Sequence, residues 1–229
     1  MRKILLSTFF MALSLSAANA AQYVVSEARG INIAVGSVID PTKALVLKLG
    51  QHLTLISESG QTIHIDGPYQ NAPVAERGVA LGAALSGLIT EQNARSTELG
   101  TTRGVMPKPP LPQPWLIDAT SSGSACLLER TVPVLWRPLD ALPVTLVIMP
   151  ADRSWRAETR WPPGSASLAL TSGLGVHGDA SYFFTVNGTE SAVTITTVPA
   201  TLSTDEMRAA WMIEKGCGRQ AEALLRKSK

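Results

Sequence analysis

Apolar and polar positions alternate most clearly between residues 52 and 66, in "HLTLISESGQTIHID". Leu53 and Leu55 alternate there with His52 and Thr54, and Ile63 and Ile65 alternate with Thr62 and His64. A period of two marks a half-buried strand, and Ser59-Gly60 marks the turn between two of them. Both apolar sets share a face only if Leu53 and Leu55 lie opposite Ile63 and Ile65. Shorter runs of the same kind, "YVVSEA", "INIAV" and "ALVLKL", are punctuated by Gly30, Gly36, Asp40-Pro41 and Gly50. They predict a small β-module that ends at "DGPYQNAP". The period then lengthens. Leu81, Leu85, Leu88 and Ile89 fall at helical spacing and predict a helix over 79–94. Gly78 and Gly82 suit a close approach of that helix to its own domain, so residues 21–98 read as a β-module with a helix.

Five prolines between Pro107 and Pro114 cannot continue a helix or join a central strand. Residues 99–114 are therefore expected to be an exposed polyproline-type linker between two domains. Beyond Trp115 come "ACLLERTVPVLWRP", "PVTLVIMP", "SWRAETRWP", "SASLAL", "SYFFTV" and "AVTITTV". Short strands separated by turns at this density predict an Ig-like β-sandwich over 115–229. Trp136, Trp155 and Trp161 are expected in its core. Asn187-Gly188 is the strongest hairpin signal, and the sequon it forms with Thr189 is incidental to that turn. The tail is helical. Ser203, with Glu206 three residues on, forms a capping box, and Gly216 and Gly218 interrupt the helix around Cys217. The expected fold class is mainly β with helices: a small N-terminal β-module plus helix, then an Ig-like sandwich with a C-terminal helical tail.

The first twenty residues change the picture of the compartment. Arg2 and Lys3 precede an apolar stretch from Ile4 to Leu15 and a small-residue site at Ala18-Asn19-Ala20, the parts of a signal peptide cleaved after Ala20. The apolar stretch is shorter than the roughly 20 residues a membrane span needs, so no transmembrane segment is expected in the mature chain. Loss of Arg2 and Lys3 lowers the basic residues from 20 to 18, equal to the 18 acids. A neutral chain argues against a nucleic-acid partner, whose electrostatic footprint is a basic excess. Export to an oxidising periplasm also favours pairing the two cysteines, Cys126 and Cys217, for which one intramolecular pairing exists.

Cys217 is also the one candidate nucleophile. "VHGDAS" and "EKGCGRQ" resemble the His-Gly and Ser-x-Gly-Cys-x-Arg elements of L,D-transpeptidases, through His177-Gly178 and through Gly216, Cys217 and Arg219, with Glu214 at the serine position. That resemblance implies a peptidoglycan transpeptidase or hydrolase using Cys217 or a histidine site. The disulfide reading accounts for both sulfurs and, by closing a loop of about 90 residues, stabilises by roughly 4–5 kcal/mol. His52, His64 and Asp66 share the polar face of the first hairpin. Such a trio can hold a metal or pass a proton; on an exposed sheet face solvated side chains are the commoner case, and neither metal nor cofactor is expected. The chain has no Gly-x-Ser-x-Gly, Cys-x-x-Cys, Gly-Lys-Ser/Thr phosphate loop or His-Glu-x-x-His.

The stretches "YVVSEARGINIAVG" and "LVLKLGQHLTLISESGQTIHIDGPY" resemble the periplasmic β-module of FecR-like proteins, which transmit signals across the inner membrane. The resemblance implies a β-rich, non-enzymatic module with a protein partner in the envelope. The chain lacks the membrane helix of that family. The expected work is protein binding in envelope assembly or signalling.

Overall fold

Alternation in the first module becomes two small sheets. The computed structural model describes residues 22–73, 79–84, 110–139 and 142–228. The main sheet contains β1 (Tyr23–Arg29), β2 (Val38–Ile39), β4 (His52–Ser57) and β5 (Thr62–Asp66) in the antiparallel order β2-β1-β4-β5. A second pair joins β3 (Leu45–Leu47) to β6 (Tyr69–Asn71). Leu53 lies opposite Ile65 and Leu55 opposite Ile63, the expected register. These four residues, with Tyr23, Val25 and Leu47, form the module's own core. The opposite face carries Val24 and Ile56, which are buried in a different cluster beneath the C-terminal helices. "INIAV" is not a strand. Gly36 and Ser37 hydrogen-bond to Val25 instead, which leaves residues 31–35 as a loop. Residues 81–84 are helical; the rest of the expected 79–94 helix lies outside the described residues.

The second region is a sandwich. One sheet has the order β11-β10-β13-β14-β8 and the other β12-β9-β7. The strands are β7 (Leu116–Asp118), β8 (Gly123–Leu128), β9 (Val134–Trp136), β10 (Val144–Pro150), β11 (Ala157–Trp161), β12 (Ser167–Ala169), β13 (Ala180–Val186) and β14 (Thr189–Val198). The run β11-β10-β13-β14 follows the C′-C-F-G order of Ig sandwiches. Tyr182, early in β13, donates its hydroxyl proton to Gly175 O and accepts from the His177 N–H, the arrangement of a tyrosine corner. Two pairings depart from an all-antiparallel sandwich: β8 runs parallel to β14, and β7 runs parallel to β9. Asn187 and Gly188, at φ 51° and 80°, make the expected two-residue turn between β13 and β14.

"ACLLERTVPVLWRP" is two strands rather than one. Arg130 has φ 60° and Pro133 lacks an N–H, so the run breaks and its halves enter different sheets as β8 and β9. Trp161 is fully buried in the sandwich core and Trp155 packs at its margin. Trp136 is buried on the outer face of the smaller sheet, with Leu111, Leu116 and Ala223. Leu111 is only 3% exposed, so the end of the proline segment is docked rather than free.

Two helices complete the fold, α1 (Asp205–Glu214) and α2 (Gly218–Lys227). The cap of α1 is Thr204, not Ser203. The Thr204 hydroxyl accepts from Met207 N–H and donates to Glu58 O, while the Ser203 hydroxyl reaches Met207 Sδ. A second hydrogen bond decides between the neighbours, because only Thr204 also satisfies a carbonyl of the β4–β5 turn. At the other end Gly216 takes φ 77°, its N–H bonds to Ile213 O, and Cys217 N–H bonds to Met212 O. This is a Schellman ending, which needs a left-handed residue that glycine adopts without strain. Trp211, Met207 and Leu202 then pack with Val24 and Ile56 of the first module and Val198 of β14. The helices thus form a layer shared by both β regions.

Candidate functional site

The Schellman ending puts Cys217 at the junction of the two helices. Its carbonyl accepts from Gln220 N–H and Ala221 N–H, so the residue both follows α1 and caps α2. In β8, Ala125 and Leu127 point into the sandwich core and Cys126 points the opposite way, into the helical layer. The two sulfurs meet in a disulfide with Cα atoms 5.9 Å apart and a sequence separation of 91. Both cysteines are buried, at 0% and 2% exposure. A thiolate is the nucleophile in cysteine catalysis, and neither sulfur carries one.

Gln220 completes the joint. Its side-chain oxygen accepts from Cys126 N–H at 2.6 Å and its amide nitrogen donates to Cys126 O at 2.8 Å. One carboxamide therefore replaces a neighbouring strand along the open edge of β8. Beside it, Arg219 Nη1 lies 2.5 Å from Asp118 Oδ2, and its guanidinium lies 5.9 Å from the Trp136 ring centroid. Burial opposes ionisation of Asp118, yet hydrogen bonds from Arg219, Thr120 and Ser121 outweigh it and hold the carboxyl below its ordinary range. These contacts tie α2 to the start of the sandwich.

The histidines lie on the outer face of the first module, past the part that α1 covers. His52 stands opposite Asp66 and Thr54 opposite His64. The His52 Nδ1–Asp66 Oδ1 distance is 2.6 Å, His52 Nε2–Thr54 Oγ1 is 3.1 Å, and Thr54 Oγ1–His64 Nδ1 is 3.2 Å. One assignment of protons satisfies every atom: His64 donates to Thr54, Thr54 to His52 and His52 to Asp66. The two rings are nearly parallel, 20° apart in plane with centroids 6.1 Å apart. Asp66 and His64 are exposed, His52 is partly exposed and Thr54 is completely buried. The expected trio is thus one continuous chain, and its central member, Thr54, was not a candidate from sequence. Alternation places Thr54 on this face, but only the cross-strand register shows that it lies between the rings.

His177 stands apart in the loop before β13. Its Nδ1 lies 2.8 Å from Gly178 O and its ring meets Tyr182 edge-on. Gly178 is packed so closely on Thr197 that a side chain would collide with the threonine hydroxyl. A cavity of about 320 Å3 opens over the smaller sheet between Trp115, Trp136 and Pro112. Among the described residues no helix is long and apolar enough to cross a membrane. No family model, curated protein or solved structure matches this chain.

Proposed function

We infer that the chain is a periplasmic, non-enzymatic protein-binding module in envelope assembly or signalling, exported by residues 1–20 with cleavage after Ala20. The observation that carries this reading is the apolar surface of the first module. Val35, Val38, Val46 and Leu49 are 54%, 47%, 60% and 85% exposed within one short stretch around β2 and β3. Apolar side chains concentrated outside a finished core favour a protein partner. The FecR-like pattern of residues 23–69 falls on the same module, and the buried disulfide suits an oxidising compartment. The alternative of an envelope transpeptidase or hydrolase using Cys217 needs that thiol free, and its sulfur is bonded to Cys126; the form that uses a histidine site does not depend on it.

The test is site-specific photo-cross-linking in cells. A cross-linking residue in place of Val46 or Leu49 is expected to give the same adduct, and one at Glu158 on β11 none. Adducts absent from positions 46 and 49, or equal at 158, would overturn the reading. Fractionation of the same cells should place the chain in the periplasm.

A further inference from the structure

We propose that the cavity on the outer face of the smaller sheet is a docking slot for an extended, proline-rich segment of a partner protein. It is a second site, on the sandwich rather than on the first module. Its floor follows from the strand register. Leu116 lies opposite Val134 and Trp136 opposite Ser167, so these four side chains share one face of β7, β9 and β12. The intervening Ile117 and Leu135 point the other way, into the sandwich core. The wall is the stretch from Pro112 to Trp115, which brings a second indole to the same cavity. Its volume of about 320 Å3 lies at the small end of ligand pockets, which start near roughly 300 Å3.

The chain's own prolines supply the first argument for this occupant. Leu111 and Pro114 are buried, and Arg226 Nη2 donates to Leu111 O at 3.1 Å. This proline segment is thus already seated, with Leu111 against Leu116, Trp136 and Ala223. The cavity runs on from that seat to Ala166 and Ser167 at β12. Polyproline chains suit aromatic-lined grooves of this kind, because a preformed extended chain has little entropy to lose on docking. Hydrogen bonding supplies the second argument. Among the described residues neither the Trp115 nor the Trp136 indole N–H is hydrogen-bonded, whereas that of Trp161 donates to Ser165 O. An indole N–H is a donor only, and a polyproline chain has no internal hydrogen bonds, so its carbonyls are free to accept. Polarity supplies the third. Among the described residues no ionisable side chain lines the cavity, and Arg219, which lies over Trp136, is held by Asp118. Gln113 and Ser167 supply the remaining polar side chains. They are too few for a glycan strand, whose many hydroxyl groups would lose water without gaining partners. An uncharged, ring-bearing peptide fits that lining.

The experiment titrates end-blocked decaproline into the isotope-labelled mature chain and follows the indole N–H resonances by NMR. Saturable shifts are expected for Trp115 and Trp136 and none for Trp155 or Trp161, a readout that needs no variant. The affinity should be the same at low and high salt, since no charge pair forms. Ser167→Tyr fills the cavity from an exposed position on the edge strand β12. It should weaken binding at least tenfold with Tm unchanged, Trp115→Ala should weaken it as much, and Trp155→Ala should leave it as it was. Absence of a saturable shift overturns the site. So do shifts that survive both Ser167→Tyr and Trp115→Ala. Tighter binding of an N-acetylglucosamine oligomer at the same two indoles would overturn it in favour of a glycan site.

Discussion

The helical layer is held to its two neighbours in different ways. On the sandwich side it has a disulfide, the Gln220 carboxamide on Cys126 and the Arg219–Asp118 pair. On the module side it has apolar packing of Val24 and Ile56, with two hydrogen bonds, Thr204 to Glu58 O and Lys215 Nζ to Ser26 O at 2.9 Å. The Lys215 ammonium also sits 5.0 Å from the centroid of the buried Trp211 ring. One attachment is covalent and charge-assisted and the other is mainly burial. The lesson is that the sandwich and the helices stand as one unit, while the first module keeps an attachment that can be loosened without breaking a bond.

Removing the covalent attachment should do the most damage. Cys126→Ala and Cys217→Ala should each lower unfolding free energy by about 4 kcal/mol in urea denaturation, and by equal amounts, since either removes the same cross-link. Unequal losses would show that one cysteine acts beyond the disulfide. Next is the burial side. Ile56→Ala should cost about 3 kcal/mol, and hydrogen exchange should quicken in β4 and β5 while the sandwich strands keep their protection. Uniform loss of protection would mean that both regions unfold as one.

The smallest effect sharpens the charge-assisted part. The folded Asp118 carboxyl lies below its ordinary pKa, so its contribution is present above the unfolded value near 3.9 and is lost as pH falls through the folded value. Asp118→Asn should cost roughly 2 kcal/mol at pH 7, measured by urea denaturation. The cost should shrink as pH drops below about 4, and a pH-independent difference would rule out the carboxylate as its source.

Local features were the legible ones. The β4–β5 register followed from Leu53, Leu55, Ile63 and Ile65 because period two and a short turn leave one way to share a face. The Asn187-Gly188 hairpin followed from turn chemistry, and the sulfur pairing from there being two cysteines, for which one intramolecular pairing exists. The cap moved by one residue because Ser203 and Thr204 both have a hydroxyl, and only the contact with Glu58 O separates them. Parallel pairing of β8 with β14 leaves no mark in either strand, since it joins segments about 70 residues apart. The same holds for Thr54 between the two rings and for Gln220 on Cys126, because each depends on a partner that local sequence does not name.

The Gln220 joint also bears on the order of biogenesis. Cys126 emerges from the ribosome 91 residues before Cys217. Through that interval β8 has an uncovered edge and a lone thiol, and for most of it the parallel partner β14 (Thr189–Val198) has yet to arrive. Contacts of such long sequence separation form late. A chain halted before residue 217 would therefore present quality-control proteases and disulfide-forming enzymes with an open strand and an unmatched sulfur, and completion of the helical junction closes both at once.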